Sequence, residues 1–316
     1  MSTALLMVLG LVGLVVGAEL LVRGGSGLAA RLGIAPITIG LTVVALGTSM
    51  PELAIGIDAA RRDSAGLAVG NIVGTNLVNL LLILGLSAAI RPIGLASRTL
   101  RFDLPSMTAA ALLVFVMGRD GTLTSFEGVV LLVLGVAYTY GVLRAGRADA
   151  KDDAVAAPPV TTSGSLLRDV LGLLAGLVII VVGAELLVRG AVDAASSLGV
   201  SDAVIGLTVV AIGTSAPELV TTLLSTLRGD RELALGNLIG SSVYNLVFIL
   251  GVVAIAAPGD VPVPEEVLAA DLVLMAAVAV ACVPVFLSGR RITRWEGGAF
   301  VAAYAVYLAW LVAVRA

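Results

Sequence analysis

The chain has 316 residues, 59% of them hydrophobic and 13% charged, with a formal net charge of −3 and a mean hydropathy of +1.10. Such a composition excludes an ordinary domain folded in water around one core. The absence of histidine and the single cysteine, Cys282, exclude an internal disulfide and leave oxygen ligands for any ion held inside, which suits Na⁺, Ca²⁺ or Mg²⁺ better than zinc or copper.

In chain order, the apolar segments predict an all-α polytopic membrane protein with helices over roughly 4–22, 34–60, 68–90, 103–118, 124–143, 169–188, 200–227, 235–256, 267–287 and 296–314, since a bilayer core takes about 20 residues per span. The first is read as a true span because no basic region precedes it. It carries Glu19 and Arg23, a helical i, i+4 pair near the span end and an expected interfacial anchor.

The second predicted span contains "GLTVVALGTSMPEL", Gly40 to Leu53. Pro51 has no N–H and its ring clashes with the carbonyl four residues earlier, so the helix is expected to break near Gly47 and free backbone carbonyls. Such carbonyls are tolerated at membrane depth only where protein, water or a cation satisfies them. Thr48 and Ser49 add hydroxyls there, and Glu52 adds charge. An ionised acid at the bilayer centre costs about 2.5–3.5 kcal/mol on insertion scales. It is normally offset by a basic partner, yet no Lys or Arg lies between positions 32 and 60.

The third span contains "GNIVGTNLVNLLLILG", Gly70 to Gly85. Asn71, Thr75 and Asn79 fall on one helix face, with Asn76 beside them, and Gly70 and Gly74 permit close helix approach. Such a stripe serves either as interhelical hydrogen bonding or as a ligand surface. Beside the glutamates the second reading is preferred. Asp103, Asp271 and Glu296 begin spans and are read as helix-terminal charges.

The polar stretch from Arg144 to Arg168 is the predicted linker. After it the pattern repeats at a constant offset of 166: "VVGAELLVRG" at Val15 and Val181, "GLTVVAIGTSAPEL" from Gly206, and "GNLIGSSVYNLVFILG" from Gly236. Pro217, Thr214, Ser215 and Glu218 thus match the first broken helix, with no Lys or Arg between 190 and 227. Asn237, Ser241, Ser242 and Asn245 match the first stripe, and Glu185 and Arg189 the first ion pair. The cluster from Gly289 to Gly298, with Trp295, is an expected headgroup anchor.

The chain therefore divides into a first repeat at 1–143, a linker at 144–168 and a second repeat at 169–316. Five spans per half reverse the second half's entry, which makes the repeats inverted. With the N-terminus outside, 14 basic residues lie on inner loops and 5 on outer ones. The positive-inside rule then places both termini outside and the linker in the cytoplasm. Inverted repeats bring equivalent segments together at the midplane, where two carboxylates, amides, hydroxyls and bare carbonyls would form an oxygen cage for a hard cation.

On these residues, "GTSMPEL" with "GNIVGTNLVN" and "GTSAPEL" with "GNLIGSSVYN", the chain resembles the cation/Ca²⁺ exchanger superfamily, especially the prokaryotic sodium/calcium exchangers. The resemblance of architecture covers essentially the whole chain. It implies ten helices in two inverted halves and alternating access at a central site. It places ion ligands on Thr48, Ser49, Glu52, Thr75 and Asn79, and on Thr214, Ser215, Glu218, Ser241 and Asn245, with carbonyls of Ala45 and Ala211 as further candidates. Some members carry aspartate where this chain has Asn245, and in the potassium-dependent branch that acid is associated with the K⁺ requirement. Asn245 thus points to K⁺-independent exchange.

The expected function is antiport of Na⁺ against Ca²⁺ in the cell (inner) membrane, by a carrier and not an enzyme. A Ca²⁺/H⁺ exchanger using the same glutamates is the alternative, with an ion channel and a structural scaffold as rivals of other classes. The expected partners are the two ions and membrane lipid, with no nucleic acid and no cofactor.

Overall fold

The computed structural model describes residues 2–61, 65–153, 165–197 and 211–315. Residues 200–210 of the seventh predicted span, which include Gly206–Val210 of the second repeat block, lie outside them, as does 154–164 of the predicted linker. Among the described residues, eight helices are long and apolar enough to cross a membrane, and a ninth span results if one bent helix pair is joined.

Helix α1 (Thr3–Leu32) starts at Ser2, whose side chain accepts from the Leu5 N–H, and stops at Gly33, whose φ of 62° lies in the left-handed region that glycine enters freely. After Pro36 in its first turn, α2 (Pro36–Thr48) is followed by α3 (Met50–Arg61), bent by 40° from it. Then come α4 (Gly66–Ile90), β1 (Ile93–Gly94), α5 (Thr99–Asp120), β2 (Thr122–Leu123) and α6 (Ser125–Asp153). The rest of the chain forms α7 (Leu166–Ser197), α8 (Ala211–Thr214), α9 (Ala216–Arg228), α10 (Arg231–Ala256), β3 (Val261–Pro262), α11 (Val267–Leu287), β4 (Arg291–Ile292) and α12 (Arg294–Arg315).

Helices α4 and α10 form the centre, with 78% and 83% of their most apolar stretch buried, against 33% for α1 and 28% for α7. The outer two pack on each other in opposite directions through glycines seven residues apart. A Cβ on Gly10 would sit 2.5 Å from the backbone N of Leu187, and one on Gly17 2.6 Å from that of Ile180. Reciprocally, a Cβ on Gly176 would sit 2.5 Å from the N of Leu21, and one on Gly183 2.7 Å from that of Leu14. The backbones touch, which only small residues permit. The opposite faces of these helices expose Leu9, Val12, Val16, Leu171, Leu174 and Val178, the surface expected of lipid-facing helices.

Short antiparallel strand pairs join distant loops, β1 with β4 (Ile93 opposite Ile292) and β2 with β3 (Thr122 opposite Pro262). Arginines concentrate beside the first pair. Arg231 donates to the Pro92 carbonyl at 3.2 Å and Arg294 to the Ile90 carbonyl at 3.3 Å. Arg228 of α9 pairs with Glu19, and Arg31 of α1 with Asp169 of α7.

Candidate functional site

The two broken segments adopt one geometry. Ser49, between α2 and α3, has φ −85° and ψ 7°, and Ser215, between α8 and α9, has φ −84° and ψ 6°. Each helix resumes at once, with the Ser49 carbonyl accepting from the Leu53 N–H at 3.2 Å and the Ser215 carbonyl from the Leu219 N–H at 2.9 Å. The prolines therefore lie in the first turn of the second piece, where a missing N–H is harmless, and the break falls two residues beyond the Gly47 and Gly213 expected from proline sterics. Glu52 and Glu218 stand in these first turns, near the positive ends of the helices.

All ten side chains of the predicted set are buried: Thr48, Ser49, Glu52, Thr75 and Asn79, and Thr214, Ser215, Glu218, Ser241 and Asn245. Contacts cross between the halves. Ser49 Oγ donates to Glu218 Oε1 at 3.3 Å, and Thr48 Oγ1 donates to Asn237 Oδ1 at 3.2 Å and lies 3.4 Å from Ser241 Oγ. Ser241 Oγ donates in turn to the Ala45 carbonyl at 3.4 Å. That carbonyl also accepts from the Ser49 N–H at 3.1 Å, so it is engaged within the protein where the sequence suggested a bare group. Ala211 opens α8.

The two glutamates are linked across the halves by Ser49, three residues before Glu52, which donates to Glu218. Among the described residues no Arg or Lys pairs with either, and no third acidic group joins them. Both oxygens of Glu52, Oε2 of Glu218, the Thr75 hydroxyl and both amide atoms of Asn79 and Asn245 are buried without a hydrogen-bond partner. Leaving a buried polar atom unsatisfied costs about 1–3 kcal/mol, and more when charged, so such a cluster calls for compensation by water or a bound ion. Oxygens of two acids, two amides and several hydroxyls fit a hard cation. Asn79 and Asn245 sit in π-helical turns, Val78–Ile83 and Asn245–Ile249, local insertions frequent at functional sites.

Sequence reasoning singled out Asn237 in the polar stripe but left it out of the ligand set. Here it anchors Thr48 and donates to Thr222 Oγ1 at 3.1 Å. Thr221, Thr222, Ser225 and Thr226 went unnoticed, although their spacing from Glu218 by three, four, seven and eight puts them on its face of α9. All four are fully buried.

A family model described as "Sodium/calcium exchanger protein" matches residues 2–144 and 169–313. The inner membrane protein YrbG of Escherichia coli is 36% identical over 83% of this chain and 82% of its own, and the sodium/calcium exchanger MaX1 of Methanosarcina acetivorans is 31% identical over 96% and 97%. Among solved structures, the sodium-calcium exchanger NCX_Mj superposes with a TM-score of 0.85 at 31% identity, covering 98% of this chain and 99% of that one. With this match over nearly its whole length, the chain belongs to the sodium/calcium exchanger family of the cation/Ca²⁺ exchanger superfamily, whose members are integral membrane cation exchangers.

Proposed function

We propose that this protein exchanges Na⁺ for Ca²⁺ by alternating access, with Glu52 and Glu218 binding either ion set in competition. The observation that carries the reading is the pair of buried carboxylates at two matching helix breaks, linked by the Ser49 contact to Glu218, with unpartnered oxygens around them. Two negative charges balance one Ca²⁺ or two Na⁺, and Ca²⁺ accepts six to eight oxygens in flexible geometry whereas Mg²⁺ prefers to keep its water. Thr48, Ser49, Thr75, Asn79, Thr214, Ser215, Ser241 and Asn245 would complete the ligands, with the Ala211 carbonyl. The names of MaX1 and NCX_Mj as sodium/calcium exchangers favour Na⁺ as counter-ion.

Ten spans in two inverted halves go with this reading. Its supports are the antiparallel packing of the sequence-equivalent α1 and α7, the two blocks matched by the family model, and α8 with α9 as the counterpart of α2 with α3. The arginines gathered beside β1 and β4 include residues assigned to inner loops, which favours both termini outside and the linker inside. YrbG, an inner membrane protein, favours that membrane here too.

The test is uptake of radiolabelled Ca²⁺ into Na⁺-loaded proteoliposomes diluted into Na⁺-free buffer at clamped pH. Uptake that needs the outward Na⁺ gradient and is lost in Glu52→Gln and Glu218→Gln supports the proposal. Uptake that ignores Na⁺ but follows a proton gradient replaces it with Ca²⁺/H⁺ exchange by the same glutamates.

A further inference from the structure

Helices α3 and α9 are sequence equivalents, yet the faces they present beyond their glutamates are opposite in character. Past Glu52 that face of α3 carries Ile55, Gly56, Ala59 and Ala60; past Glu218, α9 carries Thr221, Thr222, Ser225 and Thr226 at the matching positions. The facing helices follow the same division. Gly56 faces Val253 of α10, so that an added Cβ would meet Val253 Cγ2 at 2.6 Å. The position equivalent to Val253 in the first half is Ser87 of α4, and α9 packs against that part of α4.

These hydroxyls are not consumed by local bonding. A helical Ser or Thr commonly satisfies itself on the carbonyl four residues back, but Thr221, Ser225, Thr226 and Ser87 are all buried with no partner for their oxygens. Only Thr222 is engaged, by Asn237. From Glu218 to Thr226 the stripe rises about 12 Å at 1.5 Å per residue, most of the roughly 15 Å half-thickness of a bilayer core. It ends two residues short of Arg228, on the arginine-rich face.

We infer that this stripe, with Ser87 opposite, lines the route by which a hard cation moves between the glutamate site and the arginine-rich face, each hydroxyl replacing water as the ion sheds its shell. The inference rests on the proposed exchange at Glu52 and Glu218 and adds an asymmetry to it. One half-path is lined by protein oxygens, and the equivalent path beside α3 is lined by carbon.

The test replaces Cys282 by Ala, verifies exchange, and places single cysteines by Ser225→Cys and Thr226→Cys, with Ala59→Cys and Ala60→Cys as equivalents beside α3. Proteoliposomes in active exchange are treated on both sides with 2-aminoethyl methanethiosulfonate, a small cationic thiol reagent. Ser225→Cys and Thr226→Cys should react at least about tenfold faster than the α3 pair and lose exchange on modification, because thiol labelling follows access. Equal rates on both helices overturn the route. Independently, Ser225→Ala and Thr221→Val should slow exchange about three- to tenfold, as for one lost hydroxyl interaction, while equilibrium Ca²⁺ binding stays unchanged; exchange at the wild-type rate also overturns it. Loss of Ca²⁺ binding in Glu52→Gln and Glu218→Gln with equal labelling on the two helices leaves the site standing and removes only the route. Binding retained in both glutamate variants removes the site and the route with it.

Discussion

The pair α1 and α7 and the pair α4 and α10 are built on opposite principles. The outer pair is bound to itself by backbone contact at heptad-spaced glycines and turns leucines and valines outward. The central pair is enclosed and carries unpartnered amides and hydroxyls inward. One is a tightly joined two-helix plank with an apolar outer face, and the other is an enclosed, polar core. In the proposed exchange, a plank so tightly joined within itself would move as a unit, and a core with oxygens at set positions would hold the ions without rearranging.

Four experiments would break or sharpen that contrast. The largest effect is expected in the core, where Glu218→Gln removes a charge from the site; ligand charge sets cation affinity over decades, so Na⁺-driven Ca²⁺ uptake should fall by about a hundredfold or more. Next, Gly17→Val and Gly183→Val should each lower stability in detergent by about 1–3 kcal/mol or more, as overpacking does. Their thermal unfolding should shift alike, since each forces the same two backbones apart. Arg31→Ala removes the partner of Asp169 at the end of the plank, with both side chains 18% exposed. Its cost should lie near 1–2 kcal/mol, between the surface and buried cases, and a double-mutant cycle with Asp169→Asn would isolate it. Last, Gly298→Ala on α12 meets nothing within 4 Å and should raise stability by about 0.4–1 kcal/mol through the unfolded state. A destabilisation there equal to that of Gly17→Val would remove the special standing of the α1 and α7 glycines.

Much of this was legible in the sequence because the fold is written twice. The offset of 166 aligns the glutamates, prolines and asparagines, and a proline within a long apolar segment marks the break. Lengths were less legible. "GGSG" at Gly24 to Gly27 reads as a loop by propensity, yet α1 runs on to Leu32, held by contact with α7 and by the Arg31 pair. Likewise α6 continues to Asp153 through residues assigned to the linker, since extending a helix that is already running costs far less than starting one. The π-helical turns at Asn79 and Asn245 have no compositional mark. The hydroxyls of α9 were visible in "TTLLST", but searching for what the halves share hides what only one of them has.

The contacts between the halves are reciprocal: Gly10 meets Gly183 as Gly176 meets Gly17, and a loop strand near the middle of each half pairs with a later strand of the other. An interface in which each side offers the same patch to the other is the isologous kind on which two-fold homodimers are built. A gene encoding one half alone would thus hold every element needed to bury that surface against a second copy of itself. The joined chain has contacts of that kind while leaving each half free to differ, as the hydroxyls of α9 differ from Ile55, Gly56, Ala59 and Ala60 of α3.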